Sequence, residues 1–217
     1  MKQKTAQKLL KKVVADYDNI ADDFNQTRQH GWKEFESFLP HIKDGDHLAD
    51  LGCGNGRLQE YLRKHRELNY TGIDNSKELL KHAKGNFMEG DLLKIPLKDN
   101  SQDVAAAIAS FHHIPSKELR KKAAKEIARI IKKDGKLLIT VWNLFQPRYK
   151  KYIWRSRLKS LVSAYDARDT FIPWGKSGVD RYYYAFKAAE IRKILEEHFE
   201  ILEEKIGNNI TLICRKK

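Results

Sequence analysis

The sequence predicts an α/β fold: a doubly wound, mostly parallel seven-stranded sheet that closes on a C-terminal antiparallel hairpin. Three observations predict it. Short apolar runs alternate with amphipathic stretches along most of the 217 residues, the pattern of strands joined by crossover helices. Val104 to Ala109 is continuously apolar, as a strand buried on both faces of a parallel sheet must be. Near the end, Ile201 to Ile206 and Ile210 to Cys214 flank Gly207-Asn208-Asn209, a short polar turn that pairs its neighbours antiparallel.

The elements follow in order. His47 to Asp74 reads HLADLGCGNGRLQEYLRKHRELNYTGID: an apolar strand, a glycine-rich turn, an amphipathic helix and a second strand, Tyr70 to Ile73, that runs into an acid. A dinucleotide loop requires G-x-G-x-x-G, but counting from Gly52 the third glycine position is Arg57, and counting from Gly54 it is Gln59. The pattern present is D-x-G-x-G-x-G on Asp50, Gly52, Gly54 and Gly56. Residues without side chains let this turn close tightly against a ligand. Asp50, at the carboxyl end of its strand, offers an acceptor to a cation such as an ammonium group. Asp74, 24 residues on, stands where an acid accepts from both hydroxyls of a ribose.

Asn86 to Met88 is a short strand entering Glu89-Gly90-Asp91-Leu92. Ser116 is placed to cap a helix with apolar residues at Leu119, Ala123, Ile127, Ile130 and Ile131, which Lys132, Lys133 and Gly135 should end. Lys136 to Trp142 is the next strand, and Ala188 to Phe199 the last helix. This ordered set of strand, loop, helix, strand and acid resembles motifs I and II of class I S-adenosylmethionine (SAM) methyltransferases, and Asp91-Leu92 resembles the motif that meets adenine. The resemblance implies a Rossmann-like fold and SAM as cofactor, held by Asp50, Gly52, Cys53, Gly54, Asp74, Asn75, Asp91, Leu92 and Ala109.

Composition fits one domain over residues 1–217, 41% hydrophobic and able to bury a single core. No run approaches the ~18 apolar residues of a membrane span, and the lysine-rich start lacks the apolar stretch of a signal peptide, so a cytoplasmic protein is expected. Its two cysteines, Cys53 and Cys214, form no metal pattern, and radical SAM chemistry, which requires three clustered thiolates, is excluded. The formal net charge of +13 favours a polyanionic partner. Arg148 to Lys159, RYKKYIWRSRLK, concentrates six basic residues without an acid, interleaved with Tyr149, Tyr152 and Trp154. Basic groups track phosphates and aromatic faces stack on unpaired bases. The competing reading is a solvated helix whose aromatics pack inward. The lysine-rich face between Lys117 and Lys133 is weighted as ordinary surface.

Several local sequences resemble one narrower family: Tyr17 to Arg28 (YDNIADDFNQTR), Ala109-Ser110-Phe111-His112-His113, Val141-Trp142, and Phe171-Ile172-Pro173-Trp174 followed by Arg181-Tyr182-Tyr183. They are similar to the tRNA wobble-uridine carboxymethyl methyltransferases, over nearly the whole chain after about residue 13. The resemblance implies esterification of the carboxylate of 5-carboxymethyluridine at tRNA position 34, with Arg28, His113 and Arg181 facing the substrate. It implies an N-terminal helical lid over 1–31, a basic aromatic substrate-binding insertion over 143–187, the tRNA anticodon loop as partner and, as in eukaryotic relatives, a small zinc-binding activator subunit. One departure is Tyr184, where the family pattern has histidine. A carboxylate, with an unperturbed pKa of about 4, needs no general base, and arginines suit it through bidentate pairing. Without the resemblance both arginines read as surface ion-pair residues, and His113 as a donor, a base or a packed strand-end residue. A small-molecule SAM methyltransferase, which would leave the segment between Asn143 and Lys187 unexplained, and a non-catalytic SAM-binding protein, disfavoured by the intact motif set, are the alternatives.

Overall fold

The computed structural model describes residues 1–28 and 30–217. The chain opens with helices α1 (Gln3–Asn19) and α2 (Ala21–Thr27) and a 3₁₀ stretch, Lys33–His41. The alternating core follows: β1 (His47–Leu51), α3 (Arg57–Leu62), β2 (Asn69–Asp74), α4 (Lys77–Leu80), β3 (Phe87–Glu89), β4 (Gln102–Ile108), α5 (Lys117–Ile130) and β5 (Ile131–Trp142). Beyond it come α6 (Lys150–Leu161), β6 (Asp169–Pro173), β7 (Asp180–Tyr184), α7 (Ala188–Leu195), β8 (Phe199–Ile206) and β9 (Asn209–Lys216).

Seven strands form one sheet in the order β3-β2-β1-β4-β5-β9-β8. The first five pair in parallel, whereas β9 runs antiparallel between β5 and β8. The expected mostly parallel sheet with a closing hairpin is therefore present, with the last strand inside the sheet and β8 at its edge. Period-two burial explains β4: Ala105 and Ala107 face one core with Ile127, Ile139 and Ile191, while Val104 and Ala106 face the other with Phe38, Leu58 and Leu138. Burial on both faces requires the uninterrupted apolar run seen in the sequence.

Ser116 caps α5, its Oγ accepting from the Leu119 N–H at 3.3 Å. The helix does not continue through Lys133 as expected. It stops at Ile130 because Ile131 already pairs with Gln102 of β4, and the chain turns at Asp134, with φ 61°, and Gly135. A Cβ on Gly135 would lie 2.8 Å from the Asp103 carbonyl, so only glycine passes there. Likewise α7 ends at Leu195, and Phe199 opens β8. A separate two-stranded sheet, β6 with β7, was not anticipated from the sequence and brings Ile172 opposite Arg181.

No helix among the described residues is long and apolar enough to cross a membrane. The order reverses between β1 and β4, and at such a switch point the carboxyl ends of the strands leave a crevice. α1, α2 and the β6–β7 hairpin close over it. The Trp174 indole N–H of the hairpin donates to the Asp23 carboxylate of α2, and Ser76, just past β2, donates its hydroxyl to Asp18 of α1 at 2.6 Å.

Candidate active site

The crevice is one pocket, and all twelve residues singled out from the sequence line it: Asp50, Gly52, Cys53, Gly54, Asp74, Asn75, Asp91, Leu92, Ala109, Arg28, His113 and Arg181. Its floor is the glycine loop. Gly52 sits at φ +78°, and a Cβ there would lie 2.3 Å from Cβ of Ser110, so a side chain is barred both by backbone strain and by its neighbour. Ser110 is held in place by donating its hydroxyl to the Leu51 carbonyl at 2.6 Å. Ala109, just beyond β4, also takes a positive φ of 55°, fixed by its N–H, which donates to Thr140.

Two buried acids flank the loop. Asp50 accepts from the Tyr70 hydroxyl at 2.5 Å, and burial pushes its carboxyl up to about 7. Asp74 accepts from the Gly54 and Ser76 N–H groups at 2.8 and 2.9 Å. Burial raises its pKa, against the lowering effect of those backbone donors. Asp50 is thus a desolvated carboxyl group that feels Arg57 nearby but forms no ion pair among the described residues, and Asp74 is a carboxylate aimed by backbone donors. Both fit a ligand that brings an ammonium group and vicinal hydroxyls. The Cys53 thiol is buried, with its pKa driven well up, which makes it an inert packing group.

The opposite wall is aromatic and basic. Arg181, 5% exposed, points its guanidinium over Trp174 at 4.4 Å, Tyr183 at 5.2 Å and Trp142 at 5.6 Å. It forms no carboxylate ion pair among the described residues, and its Nε has no hydrogen-bond partner. Arg28 stacks on the same Trp174 at 4.9 Å. Alternation along β7 turns Arg181 and Tyr183 to the pocket and Tyr184 away from it. The Tyr184 hydroxyl donates to Glu190 at 2.6 Å and its ring receives Arg120 at 3.5 Å. The departure from the family pattern at Tyr184 therefore lies outside the pocket.

His112 and His113 are not extended but form a 3₁₀ turn, Phe111–His113, with their rings 4.5 Å apart. His113 places Nδ1 2.7 Å from the Tyr182 carbonyl, which can only accept, so Nδ1 carries the proton. Nε2 consequently accepts from the Tyr17 hydroxyl at 2.8 Å. Burial drives the His113 pKa down to about 3. Both nitrogens are engaged, and the ring is neutral at any ordinary pH.

Sequence reasoning missed Tyr17, Trp142 and Tyr183 as pocket residues and Trp174 as the ring behind Arg28 and Arg181, although each stood in a stretch that resembled the narrower family. It also missed Arg57, half-buried on the pocket wall, stacked on Trp32 at 4.2 Å and held down to about 10 by burial and by Arg28. Its signal was its place in the loop, where a dinucleotide site would have glycine. In the basic segment, Tyr149 and Tyr152 pack inward on Leu144, Ile153 and Tyr183, while Trp154 stands 62% exposed.

Residues 49–139 match the family model described as a methyltransferase domain. The chain is similar to the tRNA (carboxymethyluridine(34)-5-O)-methyltransferase alkbh8 of Xenopus tropicalis, 38% identical over 62% of this chain and 21% of that protein. It is 36% identical to the enzyme of that name from Arabidopsis thaliana, over 58% of this chain and 31% of the relative. With the one from Schizosaccharomyces pombe it is 28% identical, over 83% and 84%. The chain thus spans only a fifth to a third of the first two relatives. Among solved structures, a SAM-dependent methyltransferase from Methanosarcina mazei superposes with a TM-score of 0.71 at 18% identity, over 86% of this chain and 98% of that one. A complex of the Haloferax volcanii Trm112 methyltransferase activator with a methyltransferase gives 0.69 at 18%, over 94% and 97%. The [4+2]-cyclase SpnF gives 0.70 at 16%, over 94% of each chain, so the shared fold alone does not specify methyl transfer.

Proposed function

We propose, for a chain that carries a methyltransferase domain on the class I methyltransferase fold, that it esterifies the carboxylate of 5-carboxymethyluridine at the wobble position of tRNA, using SAM. The observation that carries this reading is the Arg181 guanidinium: buried, caged by aromatic rings, without a carboxylate partner and facing the pocket. Desolvating a cation in this way is costly unless an anion completes the site. The residues fit the cofactor: Asp50 would take its ammonium, Asp74 its ribose hydroxyls, Asp91 and Leu92 its adenine, with Gly52, Cys53, Gly54, Asn75 and Ala109 shaping the cradle. When bound, SAM supplies an electrophilic sulfonium methyl.

The chain's own residues then have to align a nucleophile and exclude water. Arg28 and Arg181 hold and orient the substrate carboxylate. Trp142, Trp174 and Tyr183 wall off solvent. His113, locked between Tyr17 and the Tyr182 carbonyl, positions α1 against β7 and moves no proton, as befits an acceptor already ionised. α1 and α2 serve as the lid of residues 1–31, and α6 with the β6–β7 hairpin as the substrate-binding segment of 143–187. Trp154 and the exposed basic side chains of α6 are available to the anticodon loop. A small zinc-binding activator subunit and a cytoplasmic location belong to the same reading.

Incubation with SAM and a tRNA bearing 5-carboxymethyluridine, followed by nucleoside mass spectrometry, tests it. The expected product is a methyl ester that mild alkali returns to the acid. An alkali-stable product, or methylation of small quinone-like metabolites with no reaction on tRNA, would replace this reading with a small-molecule one.

A further inference from the structure

Beside the catalytic pocket lies a second, polar cleft, lined by α3, the segment after α4 and the chain around Arg28. Arg28, Asn55 and Arg57 line both, so the cleft begins at the pocket rim. Its charged lining is mostly basic. Besides those two arginines it presents His30, Arg63, Lys64 and Lys84, against one carboxylate, Glu60, which Arg63 already neutralises at 2.6 Å. Lys64 and Lys84 are exposed and form no ion pair among the described residues. Among the described residues the one phenol ring in the cleft, Tyr61, is covered by His65 at 4.6 Å and Phe35 at 5.5 Å, and of the two imidazoles there, His30 and His82, the second is engaged by Asp22 at 3.0 Å, so cations outnumber the faces open to a base.

A cleft in which positive charge dominates and stacking surface is sparse suits a sugar–phosphate backbone more than bases. A nucleotide drawn out of its strand into a pocket leaves its own two phosphates at the rim, and the flanking strand must leave along whatever surface continues from there. We infer that the cleft from Arg28 and Arg57 to Lys64 and Lys84 binds the phosphates of the RNA strand flanking the target nucleotide. This is a track distinct from α6. The inference rests on the RNA reading above and adds where the backbone runs.

The test compares wild type with a double variant, K64E together with K84E, and with a control, K122E together with K125E, that makes the same charge change on the exposed face of α5. Binding of a tRNA carrying 5-carboxymethyluridine is measured from low to moderate salt. Alongside it run SAM affinity and the rate on the 5-carboxymethyluridine nucleoside. The cleft variant should lower the slope of log affinity against log salt by about 0.7–0.9 per lost phosphate contact and raise the KM for tRNA about tenfold or more. Its SAM affinity and nucleoside rate should equal those of wild type, and the α5 control should move none of these. Equal slopes for cleft variant and control overturn the track, even if wild type methylates tRNA. Conversely, a wild type that binds tRNA through the cleft without methylating it overturns the wobble reading and leaves the track standing. Absence of tRNA binding overturns both.

Discussion

Arg28 and Arg181 share one indole. Their guanidinium carbons stand 4.9 and 4.4 Å from the centroid of Trp174, although the two residues come from opposite ends of the chain. Trp174 is itself tied to α2 through its N–H on Asp23, so the ring couples the N-terminal helices to the β6–β7 hairpin. Two cations held at one ring repel each other until an anion reaches them.

Arg181→Lys should therefore lower kcat/KM for a carboxylate-bearing tRNA by roughly ten- to hundredfold or more, since a point charge cannot reproduce the planar fork and each charge-assisted hydrogen bond contributes about 1.5–3 kcal/mol. Trp174→Leu should cost about 0.5–2 kcal/mol for each of the two stacked cations. Steady-state kinetics with SAM affinity measured in parallel checks both. Weakened SAM binding with intact turnover would move Arg181 to the cofactor side.

At the cofactor end, Asp74→Asn should weaken SAM binding by about 1.5–3 kcal/mol, the range for hydrogen bonds to a charged group. Because Asp74 also accepts from Gly54 and Ser76, calorimetry has to be paired with a thermal melt that shows the variant folded. An unchanged affinity in a folded variant would remove Asp74 from the site.

On α6, Arg155 and Arg157 changed together to Ala should flatten the salt dependence of tRNA binding by up to about 0.7 per lost contact, and Trp154→Ala should cost about 1–3 kcal/mol if a base stacks on it. Lys159 is the wrong choice for this experiment, since its ammonium lies over Tyr165 and Phe171 at 4.5 and 4.3 Å and its loss would disturb packing. A salt slope equal to that of wild type would leave α6 as solvated surface.

The cofactor half was legible because its requirements are local. A turn that needs φ > 0 at Gly52, Gly54 and Gly56 writes itself into adjacent residues, and strand burial writes itself into a run such as Val104 to Ala109. The substrate half depends on contacts across the chain, Tyr17 with His113 or Asp23 with Trp174, which no spacing reveals. Resemblance supplied Arg28, His113 and Arg181, but not what each touches. The tautomer of His113 depends on a backbone carbonyl 69 residues away, and the end of α5 on a strand pairing to Gln102. Tyr149 and Tyr152 turned inward because Leu144 and Ile153 gave them an apolar bed, information that a charge run does not contain.

The pH response separates two groups in one pocket. Neutral His113, with a pKa near 3 and both nitrogens engaged, leaves no titration between about pH 6 and 8, so single-turnover methyl transfer at saturating SAM should be flat there. Asp50 behaves differently. Its folded pKa, raised to about 7 by burial from an unfolded value near 3.9, means the cofactor-free fold holds an extra proton between roughly pH 4 and 7. Stability of that form therefore falls as pH rises through this window. A bound ammonium group reverses the balance by favouring the carboxylate, so SAM binding at pH 6 should release close to one proton, and much less at pH 8. Calorimetry in buffers of different ionisation enthalpy reads this directly, and Asp50→Asn should abolish the release. A rate that climbs with pH around 6.5, or SAM binding without proton release at pH 6, would show respectively that His113 acts as a base or that Asp50 is already ionised in the empty site.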